Sequence, residues 1–215
     1  MVQQDSRIRG AERWQHQLGG GLGEMGIALE EAQQELLLAY LALLFKWNRA
    51  FNLTAVRDPA LAVSRQLLDS LAILPLVRGA RLLDVGSGAG LPGVPLAIAR
   101  PGWQVTLLDS NSKKTRFLRQ VKLELGLENL EVVQQRVEQY RADAPFDTIT
   151  ARAFSSLPRL IESSRHLLAP GGRWVAMKGK FPQEELEDIP EGLSAQVVPL
   201  EVPGEEGERH AVIVE

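Results

Sequence analysis

The stretch Arg81–Gly93, RLLDVGSGAGLPG, constrains this chain more than any other. Leu82, Leu83 and Val85 make a short apolar run that reads as a buried strand. The run enters three closely spaced glycines, Gly86, Gly88 and Gly90, and then Pro92, which suits the first turn of a helix. Strand, glycine turn and helix in that order hold a nucleotide-like ligand in open α/β sheets. Glycine reaches positive φ and lets the backbone approach a ligand, and the free N–H groups of the helix start face the pocket.

Two ligand classes suit this unit. Gly88 to Gly93 satisfies the dinucleotide pattern G-x-G-x-x-G. Asp109, at the end of the next apolar run (Val105 to Leu108), is placed to bind the ribose of either ligand. Asp84 separates them. A carboxylate repels a pyrophosphate, whereas S-adenosylmethionine carries an ammonium and a sulfonium that a sheltered carboxylate attracts. Asp84 therefore favours S-adenosylmethionine over NAD, with a plain tight turn as the remaining reading.

The chain has 215 residues, enough for one sizeable core and a modest extension. It contains no cysteine, which excludes a disulfide framework, a thiolate metal site and a thiol nucleophile. The start, MVQQDSRIRG, lacks a signal-peptide core, and the longest apolar run, Leu36 to Phe45, is about half of a membrane span. A cytoplasmic protein without membrane or metal is expected. Net charge is −3, but residues 76–181 carry a balance of +7 and residues 182–215 one of −9. A basic sheet region able to meet a polyanion is thus hidden by an acidic tail.

Along the chain, residues 1–17 read as a polar arm with a helical turn, and Leu18 to Ile27, with five glycines, as a flexible connection. Helices are expected from Leu29 to Asn48 and from Pro59 to Leu74, making a small helical cap. Asn48, Asn52 and Thr54 suit helix-end caps and turns. Past the glycine turn, helix Pro92–Ala99, strand Gln104–Leu108, helix Ser112–Leu125, strand Glu131–Val133 and strand Phe146–Ala151 follow. Then come helix Ser155–Leu168, a turn at residues 169–172, strand Trp174–Met177 and a closing hairpin, Ala195–Val202 with His210–Val214. Alternating strands and helices imply an α/β, doubly wound and mainly parallel sheet, with ligands at the carboxyl ends of its strands. Asp84, Asp109 and Arg152 fall at such ends. The expected division is 1–75 for arm and cap and 76–215 for the sheet domain, packed as one unit.

The ordered motifs carry more than a fold. Lys46-Trp-Asn48, Asn52-Leu-Thr54, Leu68-Asp-Ser70, Asp84 to Gly93, Leu108-Asp-Ser110, Arg152-Ala-Phe154, Lys178-Gly179 and Gly207-Glu-Arg-His210 occur in sequence. Together they resemble the RsmG (GidB) family, the bacterial 16S ribosomal RNA guanine-N7 methyltransferases, over nearly the whole chain from about residue 27. The resemblance implies a class I methyltransferase fold with a seven-stranded sheet and a helical N-terminal extension. It also implies S-adenosylmethionine as cofactor and 16S RNA or the small ribosomal subunit as partner; a monomer is expected. By position it places Gly86 and Leu91 on the cofactor, Val137 and Glu138 beside its adenine, and Arg152 at the mouth. With Asp84, Gly88, Gly90, Asp109 and Ser110 these complete the expected cofactor set.

Guanine N7 presents an in-plane lone pair with no proton to lose, so transfer to it needs positioning and shielding but no general base. The missing cysteine excludes covalent attack at pyrimidine C5, and Ala151-Arg-Ala-Phe154 differs from the Asn-Pro-Pro-Tyr-like motif of exocyclic-amine methyltransferases. Arg152 and Lys178 are positioning candidates. Arg152 suits a phosphate or guanine edge, or else an ion pair with Glu138 or Asp109. Lys113, Lys114, Arg116, Lys178, Lys180, Arg209 and His210 are the candidate RNA contacts, against a solvated-face reading for the helix cations. Phe154 suits either base stacking or the core. A small-molecule methyl acceptor, and a dinucleotide-binding oxidoreductase, remain alternatives.

Overall fold

In the computed structural model, which describes residues 2–215, the run after Arg81 is strand β1 (Arg81–Val85). Met1, the first residue of the expected arm, lies outside the described residues. The other strands are β2 (Gln104–Leu108), β3 (Leu130–Val133), β4 (Phe146–Arg152), β5 (Leu168–Lys178), β6 (Ala195–Pro199) and β7 (His210–Val214). They form one seven-stranded sheet in the order β3-β2-β1-β4-β5-β7-β6. All neighbours from β3 to β5 are parallel, while β7 runs antiparallel to both β5 and β6. The order reverses between β1 and β4, so the carboxyl ends of these two strands bound the crevice where such sheets bind ligands.

Alternation along β1 divides the core. Leu82 joins a cluster with Leu37, Tyr40, Val94 and Phe117, whereas Leu83 and Val85 join one with Ile149, Leu160 and Trp174. Both faces of the sheet are therefore covered, as a parallel sheet requires. Helices α1 (Val2–Glu24) and α2 (Glu31–Phe51) supply the cap on the first face.

The connection expected at Leu18 to Ile27 is instead largely the end of α1. Leu18 and Leu22 are buried, and a Cβ at Gly21 would overlap the Leu68 side chain, so this glycine serves helix packing rather than flexibility. The helix expected over Pro59 to Leu74 is also corrected. It divides into a 3-10 turn (Pro59–Leu61), a π-helix (Val63–Leu68), the short α3 (Asp69–Leu71) and a second 3-10 turn (Leu74–Leu76). The Asp69 N–H reaches back to Ser64 O, the wide spacing of a π turn, which often marks a functional site.

Helices α4 (Gly93–Ala99), α5 (Ser112–Leu125) and α6 (Leu157–Ser164) pack on the sheet. Asn111 caps α5 by accepting from Lys113 N–H at 2.9 Å, and Gly126 ends it at φ +63°. The turn expected at residues 169–172 is absorbed into β5, whose register against β4 shifts between Phe146 and Thr148. Strand β6 stops at Pro199, and the unexpected α7 (Gln183–Glu187) precedes it. Among the described residues no helix is long and apolar enough to cross a membrane.

Candidate active site

Two cavities open at the carboxyl ends of the central strands. One, of about 350 Å³, is lined by Gly86, Asp109, Ser110, Val137, Glu138 and Phe154 among others. The second, of about 630 Å³, is lined by Thr54, Gln66, Asp69, Gly86, Gly88, Leu91, Lys114, Lys178, Arg209 and His210. Gly86, Arg152 and Ala153 border both, so the cavities are two lobes of one groove. The combined space suits a nucleoside-sized cofactor with an acceptor beside it.

The glycine loop forms the floor. Gly86 holds φ +69°, and a Cβ there would find only Phe154, 3.8 Å away, so a side chain would fill the groove itself. Gly90, at φ +94°, serves packing instead, since its Cβ would collide with Val94 and Leu118. Ala153 is a non-glycine residue at φ +58°, a costly backbone conformation directly beside Arg152.

Asp84 lies beneath this floor rather than on it. It is fully buried, lines neither lobe, and its Oδ2 accepts from Gly93 N–H at 3.1 Å, while Oδ1 has no partner. Burial pushes its carboxyl up to about 7, against the opposing pull of the Gly93 N–H. The fold thus uses Asp84 to fasten the start of α4 to β1. Asp109 reaches the smaller lobe and braces the loop, accepting from Gly88 N–H at 2.9 Å and Asn111 N–H at 2.8 Å. Ser110, Val137 and Glu138 line the same lobe, and Leu91 lines the larger one.

Arg152 is neither free nor paired with Glu138 or Asp109. Its Nη1 donates to Asp69 Oδ2 and Arg65 O, both at 3.1 Å, and its Nη2 donates to Gln66 Oε1 at 3.1 Å. Arg65 and Gln66 lie in the π-helix and Asp69 opens α3 directly after it, so the irregular helix fixes the arginine at the junction of the lobes. Asp69 also faces Arg209 Nε at 3.3 Å, and Arg209 meets Glu205 at 3.2 Å. Burial raises the Asp69 carboxyl, with the Arg152 guanidinium pulling the other way.

Among the other candidate RNA contacts, Lys178 is bound internally, its Nζ lying 2.7 Å from Glu185 Oε2. Lys114 lies 3.7 Å from Asp109 and borders the larger lobe. His210 borders that lobe with its Nδ1 buried and unpartnered, and the Phe181 ring meets it edge-on at 5.7 Å. Lys113, Arg116 and Lys180 are exposed and line neither lobe. Gln66 carries no expectation from the sequence, Asp69 enters only within the Leu68-Asp-Ser70 motif, and Tyr40 suits only the core. The available signal was a lone acid inside the apolar pattern Leu67-Leu68-Asp69-Ser70-Leu71, where a charge must be paired. Among the described residues no group of His, Asp or Glu is placed to hold a metal ion.

Strand order, glycine loop and bilobed groove define a class I methyltransferase. A putative O-methyltransferase from Klebsiella pneumoniae shares the fold at TM-score 0.57 and 14% identity, covering 81% of this chain and 88% of that one. TrmN from Thermus thermophilus does so at TM-score 0.53 and 20% identity, covering 78% and 52%. The family described as rRNA small subunit methyltransferase G (GidB) matches residues 33–212. Proteins named ribosomal RNA small subunit methyltransferase G are 57% identical in Pseudomonas aeruginosa (92% of this chain, 94% of that one) and 53% in Laribacter hongkongensis (91% and 95%). The chain belongs to the small-subunit ribosomal RNA methyltransferase G family.

Proposed function

We propose that this chain transfers the methyl group of S-adenosylmethionine to N7 of one guanine in the decoding-region loop of 16S ribosomal RNA. When bound, the cofactor supplies an electrophilic methyl group on a sulfonium. The groove fits that cofactor where a Gly86 side chain would fill its floor. Asp109, Ser110, Val137 and Glu138 hold the adenosine end in the smaller lobe, and the backbone of Gly86 and Gly88 with Leu91 holds the amino-acid end. Asp84, Gly90 and Gly93 support this loop from below. No general base is needed at N7, and the residues around the larger lobe act by orienting the guanine and excluding water.

The observation that carries this reading is the family match from residue 33 to residue 212, which spans both lobes and nearly all of α2 in the cap. Exposed Lys113 and Arg116 on α5, with Lys114 at the groove edge, extend a basic surface from the larger lobe for the RNA backbone. The protein acts as a monomer in the cytoplasm, on RNA or on the assembled small subunit.

The test is incubation with labelled S-adenosylmethionine and 16S RNA or small subunits that lack this modification, followed by digestion and nucleoside identification. 7-Methylguanosine at a single site is expected. Labelling of a different base keeps the enzyme class and overturns the regiochemistry. Donor binding without any RNA labelling favours a small-molecule acceptor.

A further inference from the structure

A buried carboxylate shared by two arginines stands at the edge of the larger lobe. Asp69 is 5% exposed, yet its Oδ2 accepts from Arg152 Nη1 at 3.1 Å, while its Oδ1, which has no hydrogen-bond partner, lies 3.3 Å from Arg209 Nε as an ion pair. The two arginines come from distant parts of the chain, Arg152 from the end of β4 and Arg209 from the residue just before β7. Glu205 continues the alternation, touching Arg209 at 3.2 Å and Arg65 at 2.9 Å. The result is a chain of charges, Arg152–Asp69–Arg209–Glu205–Arg65, that ties the helical cap to the last strand across the groove.

The geometry leaves donors to spare. A guanidinium offers five N–H groups. Arg152 commits three of them, to Arg65 O, Asp69 and Gln66. Gln66 is itself oriented, because its Nε2 donates to Thr54 Oγ1 at 2.7 Å and leaves only its oxygen for the arginine. Arg209 hydrogen-bonds Glu208 O from Nη1 at 2.7 Å, while its Nε and Nη2 stand in ion-pair contact with Asp69 and Glu205 without a hydrogen bond. Each side chain keeps uncommitted N–H groups while bordering the larger lobe. Without Asp69 the two cations would repel, and each long side chain would regain its rotamers.

We propose that Asp69 is a positioning residue for acceptor capture, holding Arg152 and Arg209 as a fixed pair whose spare donors grip a phosphate of the substrate RNA beside the target nucleotide. The inference rests on the RNA methyltransferase reading. Asp69 touches neither cofactor nor RNA in this scheme. It acts through the two arginines, for which bidentate hydrogen bonding to phosphate is the suited chemistry. Asp69 and Arg209 border the larger lobe alone, away from Asp109, Ser110, Val137 and Glu138 at the adenosine end, and only Arg152 reaches both lobes. A change at Asp69 or Arg209 is therefore read in acceptor affinity rather than in cofactor affinity.

The experiment compares wild type with Asp69→Asn, which keeps the shape and one acceptor but removes the charge. Undermethylated small subunits are the acceptor, and donor affinity is measured separately by calorimetry. KM for the subunits is expected to rise roughly tenfold or more while the dissociation constant for S-adenosylmethionine changes less than about twofold. Combining Asp69→Asn with Arg209→Gln is expected to add little beyond either change alone, since both disable one unit. Should Asp69→Asn fail to fold, Arg209→Gln alone, which leaves Asp69 paired with Arg152, carries the same KM expectation. Unchanged KM in a folded variant, additive effects in the double variant, or donor affinity falling in step with KM overturns the proposal. Absence of methylation by wild type sinks the parent reading instead.

Discussion

The Tyr40 hydroxyl, on α2 of the cap, donates a 2.8 Å hydrogen bond to the Ala89 carbonyl inside the glycine loop. Both residues are buried, and burial also keeps the phenol protonated by raising its pKa. The cap therefore does more than cover a sheet face, because it fastens the backbone that forms the groove floor. Tyr40→Phe leaves the carbonyl buried and unpaired, at a cost of about 1–3 kcal/mol. Thermal denaturation is expected to show that loss, and calorimetry a several-fold weaker S-adenosylmethionine. Full donor affinity in the variant would mean that the loop holds its shape unaided.

The glycines of α1 separate by position. Gly19 and Gly20 are exposed and a Cβ at either would meet nothing within 4 Å, whereas one at Gly21 would overlap Leu68. Gly19→Ala and Gly20→Ala are each expected to stabilise by up to about 1 kcal/mol through helix propensity. At Gly21 the same gain is opposed by about 1–3 kcal/mol of overpacking, so Gly21→Ala is neutral or destabilising. Denaturant midpoints of the three variants check this order, and a midpoint for Gly21→Ala as high as the other two would contradict the packing.

This region also shows where the sequence stopped being readable. Strands β1 to β4 and the Trp174–Met177 part of β5 were legible because a buried parallel strand must be a short apolar run bounded by turn residues, whereas the Pro-Gly-Gly start of β5 reads as a turn. The helix ends at Asn111 and Gly126 were legible through their caps. A glycine cluster, however, reads alike whether it loosens a chain or lets two helices touch, and only Leu68 at Gly21 decides. The π turn was hidden for a related reason: Val63 to Leu68 keeps ordinary helical composition, and nothing in it marks the wider spacing beside which Gln66 and Asp69 meet Arg152. Arg152 was found from its place at a strand end. Its partners, more than eighty positions earlier in the chain, could not be read without the fold.

Gly86 tests the groove. A side chain there must hold φ +69°, which costs about 1–2 kcal/mol, and its methyl would stand in the floor shared by the two lobes. Gly86→Ala is expected to stay folded by circular dichroism while S-adenosylmethionine affinity falls at least about tenfold. Retention of both fold and affinity would place the cofactor elsewhere.

Lys113 and Arg116 are exposed on α5 and belong to no ion pair among the described residues. If they meet RNA phosphates, each contributes to counterion release and therefore to the salt dependence of binding. Replacing both with Gln is expected to weaken small-subunit binding and lower the slope of log affinity against log salt by about 1–2. Catalytic turnover at saturating subunits should change little. An unaltered slope would return these side chains to the role of a solvated face.

Asp84 makes a prediction about pH whose sign is opposite to that of an ion-paired carboxylate. Burial favours its neutral form, so the folded protein keeps the proton up to about pH 7, against an ordinary value of 3.8. Between those values the folded state binds more protons than the unfolded chain. Stability from this group is full below about pH 4, falls as pH rises through the window, and levels off above pH 7. The limiting slope for one group is about 1.4 kcal/mol per pH unit. Asp84→Asn carries no charge at any pH, and its amide oxygen can still accept from Gly93 N–H. Urea unfolding of both proteins from pH 4.5 to 7.5 therefore isolates the effect, since every other titrating group is shared. The stability of the variant relative to wild type is expected to climb steadily with pH, and the variant should be the more stable at pH 7.5. A difference that stays flat across the range would show that Asp84 ionises freely beneath the loop, with a polar partner absent from the contacts described above.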